Sequence, residues 1–236
     1  ENPVVYFPLD DISGGTTEDL SGNNYDATVT GAVSTTGIAG DAALFDNGTD
    51  VIRSTGPNLI TAASDDVFTI SCWIKSDNMQ NYGQPVAIEE NNVGLFTTGA
   101  GDWGVQSSGD NSGVNSNGIN LQDNEWHHLV GIYKEGTRYI GYLDGSLLFD
   151  VATTDGETSS GDEITIGNSP GTEDQFPGAV DDVRVYDREI TSNEVTALYN
   201  NPGTTNGGGT GGLTITDNST TSTLKKLSET ITLNDT

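Results

Sequence analysis

The chain carries WHHLVGIY at residues 126–133 and RYIGYLDGS at residues 138–146, and these two stretches decide the fold. Aromatic, aliphatic and β-branched residues of this kind favour extended strands. Gly136 lies between the two stretches, and the pair Asp144-Gly145 favours a two-residue hairpin turn because glycine tolerates positive φ. The segment therefore predicts two antiparallel strands and the beginning of a third strand.

Further strand-like runs extend in both directions from this segment, and several alternate apolar and polar residues, as strands do when one face is packed. The predicted strands are 4–9, 27–33, 42–45, 50–54, 68–75, 84–89, 93–97, 104–107, 127–133, 138–143, 146–151, 164–167 and 179–186. One helix is predicted after them, since Thr191 precedes Glu194 in a capping box and an apolar stripe follows. The pattern predicts an all-β fold with one short C-terminal helix.

Composition divides the chain into three parts. Residues 1–201 form the predicted domain, residues 202–212 are a Gly-rich flexible linker, and residues 213–236 are a β-rich tail with two strand-like runs. Two strands rarely hold together alone in water. The tail therefore stays loose, docks on its own domain or pairs with another chain. We favour pairing with copies of the chain or with other subunits of an assembly.

The chain is strongly acidic, with 35 acidic and 8 basic residues and a formal charge of −27. This argues against nucleic acid and against anionic membrane surfaces as partners, because phosphate and anionic lipid need Lys and Arg clusters that the chain lacks. A calcium-binding surface would concentrate acids in a few loops. Adaptation to high salt would spread them, since molar salt shortens the Debye length to about 3 Å. Acids occur in almost every block of ten residues, which favours a halophilic source over an acidic extracellular protein of a mesophile.

Several features fit an extracellular protein or one at a cell or virion surface. The chain begins at Glu1 without Met, which suggests a processed or trimmed N-terminus. No apolar run of about 18 residues occurs, so no membrane-spanning helix is expected. Asn47, Asn218 and Asn234 begin N-x-Ser/Thr triplets and are candidate glycosylation sites. Cys72 is the single cysteine, so no disulfide framework is expected and the residue is predicted to be buried.

A series of motifs covers residues 4–199 in the order found in one large family. They are YFPLD (6–10), DLSGN (19–23), GDAALFD (40–46), FTISCWIK (68–75), WHH (126–128), YLDG (142–145) and FPGAVDDVRVYDR (176–188), followed by a short helix that contains Glu194. With these motifs in this order, the chain resembles the laminin-G-like, concanavalin A-like jelly-roll superfamily of lectin and glucanase domains. The resemblance implies a two-sheet antiparallel jelly-roll sandwich that binds glycans or proteins, often with a calcium ion.

The resemblance implies a calcium site at Asp181. Related jelly rolls often place a calcium-ligating Asp at the start of the last long strand, opposite the N-terminal strand and a Gly-bearing turn. Calcium takes about six to eight oxygen ligands, and Asp10 together with Asp46 and Gly48 of the following turn could complete the set. Alternatively, Asp181 and its neighbour Asp182 only accept hydrogen bonds within the sheet.

Catalysis is not expected from the sequence. His127 and His128 are the two histidines, and adjacent strand residues point to opposite faces, so they cannot chelate one ion together. A retaining glycosidase needs two carboxylates about 5–5.5 Å apart. Glu89-Glu90 would face apart on a strand, Asp162-Glu163 precede an apolar strand, and the Glu-x-Asp-x-x-Glu arrangement of related hydrolases does not occur. The chain is therefore predicted not to be an enzyme.

Tyr82, Asp102 and Trp103 are the candidate ligand-binding residues. They lie in polar, Gly-rich segments, and sugars stack their apolar faces on aromatic rings while polar side chains bind their hydroxyl groups. The alternative is that each ring only covers the edge of a sheet.

The predicted function is that of a non-enzymatic, exported binding or adhesion module of a halophile. It would recognise a surface glycan or protein and be held in a larger assembly by its tail. The alternative is a purely structural subunit of a virion, an extracellular filament or a surface layer. Removal of residues 203–236 separates the two, because a binding module keeps its ligand without the tail and a structural subunit loses its only function.

Overall fold

The computed structural model describes residues 2–46, 48–60, 67–88, 93–107, 114–116, 118–154, 161–168 and 175–204. The strands within them are β1 (Val5–Phe7), β2 (Thr16–Thr17), β3 (Ala27–Thr30), β4 (Val33–Thr36), β5 (Asp41–Phe45), β6 (Val51–Ile60), β7 (Val67–Lys75), β8 (Gly83–Ile88), β9 (Val93–Thr97), β10 (Trp103–Ser107), β11 (Val114–Asn115), β12 (His127–Lys134), β13 (Arg138–Leu143), β14 (Ser146–Ala152), β15 (Gly161–Ile166) and β16 (Gly178–Tyr186), and the helix is α1 (Ser192–Asn200). Some predictions concern residues outside these ranges and stay predictions. They are those for the tail, Glu89-Glu90, Asn47, Asn218 and Asn234.

The strands form two antiparallel sheets. The first sheet has the order β14-β13-β12-β7-β16-β5-β4, with β1 also paired to β16, and the second has the order β11-β10-β9-β8-β15-β6-β3-β2. The segment 126–146 forms β12, β13 and the beginning of β14, with Asp144 at φ 48° in the hairpin turn. This arrangement confirms the all-β, two-sheet antiparallel sandwich with one short helix.

The main core lies between the two sheets. On β7, Phe68, Ile70, Cys72 and Ile74 belong to this core, so the alternate residues of β7 face away from the second sheet. We call the side of the first sheet that faces away from the second sheet its outer face. Cys72 is fully buried, which confirms its predicted role as a small core residue.

Helix α1 covers part of the outer face. A second apolar cluster forms between the helix and the sheet, and it consists of Val130, Ile132, Ile140, Tyr186, Ile190, Val195 and Leu198. The predicted capping box is present at the start of the helix: the Thr191 hydroxyl accepts the Glu194 N–H, and the Glu194 carboxylate accepts the Thr191 N–H. The apolar stripe of α1 explains why its short sequence forms a helix here.

Strand β16 changes partner halfway along its length. Its first residues pair with β5, from Gly178 opposite Phe45 to Val180 opposite Ala43, and its later residues pair with β1, with Val183 opposite Phe7. Its pairing with β7 shifts register between Asp181 and Arg184. Asp181 and Asp182 therefore lie where β5 begins and β1 ends, which brings the N-terminal segment beside β16.

Several predicted strands differ from the structure: the strand predicted at 50–54 extends to Ile60 as β6, the one at 164–167 begins at Gly161 as β15, and the runs 27–33 and 4–9 also change. The run 27–33 is divided into β3 in the second sheet and β4 in the first sheet, because the chain crosses between the sheets at Gly31. Gly31 has φ 77°, and a Cβ on it would lie 2.0 Å from Asp50 Oδ1. The strand predicted at 4–9 ends at Phe7, and Leu9 has φ 61°.

Candidate functional site

Asp181 is a buried carboxylate at the junction of β16, β5 and β1. Its Oδ2 accepts the N–H groups of Ile38 (2.8 Å) and Ala39 (3.3 Å), and its Oδ1 accepts the Asp182 N–H (2.7 Å). Burial raises the pKa of the Asp181 carboxyl to about 7, because the loss of hydration outweighs the main-chain N–H groups that stabilise the anion. Among the described residues, backbone N–H groups are thus the only groups that balance the charge of this carboxylate.

Asp10 approaches the same turn of the chain as Asp181. Its Oδ1 accepts the Asp41 N–H at 2.9 Å, while the turn between β4 and β5 is closed by a hydrogen bond from Gly37 N to Gly40 O (2.9 Å). A Cβ on Gly40 would lie 2.0 Å from Asp10 Oδ1, and one on Gly37 would lie 2.4 Å from Asp181 Oδ2. Both glycines therefore let the two carboxylates come close to the backbone of residues 37–41.

Asp46 and Gly48 lie at the opposite end of β5 from Asp181. Continued register places Asp181 opposite Ala42, so Asp46 is four residues, or roughly 13 Å, further along the strand. The two residues have other partners: the Asp46 N–H donates to Asp50 Oδ2 (3.2 Å), and the Gly48 carbonyl accepts Asn168 Nδ2 (2.9 Å). The prediction that Asp46 and Gly48 share a metal site with Asp181 is therefore wrong, whereas Asp10 and Asp181 do border one turn.

The three predicted ligand-binding residues have different surroundings. Trp103 is fully buried at the beginning of β10, where its ring lies 5.6 Å from that of Phe149, so its predicted role in stacking a sugar is wrong. Asp102 Oδ1 accepts the Gly118 N–H (2.6 Å) and the Ser116 hydroxyl (3.3 Å) and thereby orders that loop. Tyr82 is 50% exposed, so its ring is accessible to a ligand.

Tyr82 and Asp102 nevertheless lie at the same end of the second sheet. Thr97, the last residue of β9, pairs with Gly83 on one side and with Trp103 on the other. The residues that precede β8 and β10 are therefore neighbours across β9. Of the two aromatic residues that the sequence proposed here, Tyr82 is exposed and Trp103 is buried, and ligand binding at Tyr82 and Asp102 stays a prediction.

The two histidines lie on opposite sides of β12. His127 Nδ1 lies 2.9 Å from Asp144 Oδ2, and the hydrogen bond to Asp144 raises the pKa of His127. His128 is buried on the outer face, with Nε2 2.9 Å from the Ser71 hydroxyl, and burial lowers its pKa to about 3. His128 is thus neutral at physiological pH, and its position beside the Trp73 ring at 5.1 Å gives it a packing role.

Sequence reasoning missed a groove on the outer face of the first sheet. Its volume is about 270 Å³, and it is lined by Thr35, Thr36, Leu44, Lys75, Ser76, Asp77, Asn124, Gly178 and Ala179. The available signal was Lys75, one of only eight basic residues, at the end of an otherwise buried strand. No motif in the sequence links the strands that form this groove.

Comparison with known proteins identifies the family of this sandwich. The family model described as the concanavalin A-like lectin/glucanases superfamily matches residues 46–196. The chain belongs to this superfamily. No curated protein matches this lectin/glucanase-like chain.

Three solved structures illustrate the likeness of fold. The binding domain of Paraclostridial Mosquitocidal Protein 1 has a TM-score of 0.64 at 18% identity, over 84% of this chain and 52% of that chain. Domain 4 of AbnA, a GH43 extracellular arabinanase from Geobacillus stearothermophilus solved with arabinotriose, has a TM-score of 0.62 at 19% identity, over 84% of this chain and 100% of that chain. The Botulinum neurotoxin serotype G binding domain has a TM-score of 0.61 at 17% identity, over 84% of this chain and 50% of that chain.

This superfamily member thus spans about half the length of the two toxin binding domains and matches the arabinanase domain over its entire length. Because the sequence identities are below one fifth, these matches show a similar fold and no more. Among the helices that the structure describes, none has the length and apolar character needed to cross a membrane.

Proposed function

We propose that this chain is a non-catalytic carbohydrate-binding module. The observation that carries the proposal is the match to Domain 4 of the arabinanase, a structure that contains arabinotriose and that the chain matches over its full length. The toxin binding domains share only half of their length with this chain, so their receptors give weaker support. Among protein and glycan ligands, we therefore place glycans first.

Three carboxylates among the described residues have structural contacts, which supports binding rather than catalysis. A general acid in a glycosidase needs a carboxyl group with a raised pKa within reach of the substrate. Asp181 has the raised pKa but is 0% exposed behind the turn of residues 37–41. Glu163 forms an ion pair with Arg53 at 3.0 Å, and Asp102 holds its loop, so both have structural roles.

The glycan proposal is tested by applying the labelled whole chain to an array of plant, microbial and animal glycans. We expect saturable binding to at least one class of glycan, and competition by the same free oligosaccharide. Binding to no glycan, together with capture by a purified protein receptor, would contradict the proposal.

We also propose that a calcium ion binds between Asp10 and Asp181. The described residues hold no group of three His, Cys, Asp or Glu side chains suited to a metal, so main-chain carbonyl oxygens must supply most ligands. Calcium accepts such ligands readily, and the two carboxylates border one glycine-containing turn whose carbonyls would have to supply the remaining ligands. When bound, the ion would neutralise the buried carboxylate and fix the turn.

The calcium proposal is tested by thermal melts with calcium and with chelator. Calcium at about 100-fold excess over its Kd should stabilise the chain by roughly 2.7 kcal/mol. Asp181→Asn should abolish this response, whereas Asp46→Asn, at the other end of β5, should retain it. An unchanged melt with chelator in the original chain would refute the site.

The proposal includes export, a halophilic source and an assembly role for residues 213–236. These rest on the acidic composition, the sequons and the β-forming tail. Native mass measurements with and without residues 203–236 test the assembly role. We expect oligomers only when the tail is present, and equal masses per chain in both forms would contradict that role.

A further inference from the structure

Lys75 differs from the other cations of the described residues. Each of the others forms an ion pair with a carboxylate: Arg53 with Glu163, Lys134 with Glu189, Arg138 with Asp150, Arg184 with Asp182, and Arg188 with Glu194. Acidic residues outnumber basic ones 35 to 8, so an available carboxylate is rarely far from a cation. Within the part of the chain that the structure describes, the half-buried Lys75 has no carboxylate partner.

The register of three strands places Lys75 at the side of the outer groove. Ala179 of β16 pairs with Lys75 of β7 on one side and with Leu44 of β5 on the other. These residues form one row across the sheet, and the small side chain of Ala179 leaves a depression between Leu44 and Lys75. The floor of the groove is therefore aliphatic, with an ammonium group at one side.

The walls of the groove are polar. Thr35 and Thr36 of β4 line the groove together with Leu44. Thr35 lies on the same face of β4 as Val33, which pairs with Leu44. On the other side, the Asn124 N–H donates to the Ser76 carbonyl (3.2 Å), which holds Asn124 beside the end of β7. An apolar floor between hydroxyl, amide and carboxylate groups suits a sugar, whose ring has apolar faces and a polar rim.

We propose that this groove binds an acidic sugar residue of a glycan, with the Lys75 ammonium holding its carboxylate or sulfate group. The inference rests on the proposed carbohydrate-binding function and assigns a ligand class to it. The volume of about 270 Å³ is near the lower end of ligand sites, which suits one sugar residue of a longer chain. Thr35, Thr36 and Asn124 bind its hydroxyl groups.

The overall negative charge does not oppose this assignment at short range. Charges further away than a Debye length, about 8 Å at physiological ionic strength, are largely screened, whereas a contact with Lys75 is not. Asp77 also lines the groove, and it accepts hydrogen bonds from sugar hydroxyls while repelling a second anionic group. The site therefore favours one acidic residue flanked by neutral sugars.

The proposal is tested by calorimetric titration with matched trisaccharides. A galactotriose whose middle residue is galacturonate and the methyl ester of the same trisaccharide form the first pair, in which one negative charge is masked. Galactotriose with a single sulfate and plain galactotriose form the second pair. We expect one acidic member to bind about tenfold more tightly than its neutral counterpart, since a charge-assisted hydrogen bond contributes that much. The pair that shows the difference identifies carboxylate or sulfate as the recognised group.

Variants locate the effect on Lys75. Lys75→Gln should abolish the acidic preference and keep binding of the neutral trisaccharide, and Lys75→Arg should keep the preference. Lys134→Gln is the matched control, because it makes the same charge change at the Glu189 ion pair outside the groove. Amide chemical shifts of Thr35 and Asn124 in the unmodified chain should change on addition of the acidic sugar, which tests the location without any variant.

Several results would overturn the inference. Equal binding of acidic and neutral members in both pairs would remove the acidic preference and leave the carbohydrate-binding function intact. Retained preference in Lys75→Gln, or shift changes only elsewhere, would place the site outside the groove. Binding of none of the four sugars would also reject it, and the glycan array then decides the proposed function separately.

Discussion

Trp103 and Tyr82 are aromatic residues in similar sequence surroundings that the fold places in opposite environments. Both lie in polar segments that contain glycine, yet Trp103 is fully buried and Tyr82 is half exposed. The strand predicted at 104–107 begins one residue earlier in the structure, at Trp103. This shift of one residue determines the role of Trp103, because side chains alternate between the two faces of a strand and Trp103 takes a core-facing position.

We predict that Trp103→Ala destabilises the chain by about 3–5 kcal/mol, because it leaves a large cavity in the core. Tyr82→Ala is the matched control at the same end of the sheet and should change the free energy of unfolding by less than about 0.5 kcal/mol. Urea unfolding followed by fluorescence measures both values. Similar small losses in the two variants would contradict the buried position of Trp103.

Among the elements, helix α1 could be predicted fully from the sequence. Its capping box and apolar stripe are local signals within residues 191–199, and no distant partner is needed to recognise them. The division of 27–33 into β3 and β4 could not be predicted, because it depends on the approach of Gly31 to Asp50. The same limit applies to the groove, which exists only through the register of β5, β16 and β7.

The position of Asp10 and Asp181 at one turn could be predicted in part from the sequence. The Ile38 N–H that binds Asp181 is 143 residues away in the sequence, so no local pattern can link them. The resemblance to a known family pointed to Asp181 and to a glycine-containing turn. It did not separate Asp10 from Asp46, because that choice depends on which end of β5 lies beside Asp181.

The cap of α1 predicts a pH dependence of stability. Hydrogen bonds from Arg188, opposed by partial burial, lower the pKa of the Glu194 carboxyl from 4.5 to about 2. A carboxyl group with a lowered pKa stabilises the folded state above the unfolded pKa and loses that contribution as the pH falls through the folded pKa. The contribution of Glu194 should therefore be complete above pH 4.5 and be lost between pH 4.5 and about 2.

Urea unfolding between about pH 2 and pH 7 tests this dependence. Glu194→Gln should have a smaller loss of stability in acid than the original chain. Glu125→Gln, at an exposed position, is the control and should follow the original curve. Identical acid profiles for Glu194→Gln and the original chain would show that the Arg188–Glu194 contact does not stabilise the fold.

At the scale of the whole molecule, the excess of carboxylates determines the response to salt. Exposed acids such as Asp11, Glu18 and Asp26 lie at many places on the surface, and the few described cations other than Lys75 are already paired. Self-repulsion of such a surface weakens as salt shortens the Debye length from about 10 Å at 0.1 M to about 3 Å at 1 M.

We therefore predict that the melting temperature rises steeply between about 0.1 M and about 3 M KCl. The same series in sodium chloride should give a similar rise, since screening depends on ionic strength. A flat response would contradict the proposed adaptation to high salt, and it would leave the sandwich fold and its groove unaffected.

A non-catalytic carbohydrate-binding module binds a glycan without cleaving it, and one measurement addresses both properties. The best oligosaccharide from the array is titrated into the whole chain by calorimetry, and the mixture is then kept for a day and separated by chromatography. We predict a saturable heat that corresponds to one site per chain, and an oligosaccharide that is recovered intact. Absence of a saturable heat, or recovery of shorter sugars from the mixture, would contradict a non-catalytic carbohydrate-binding module.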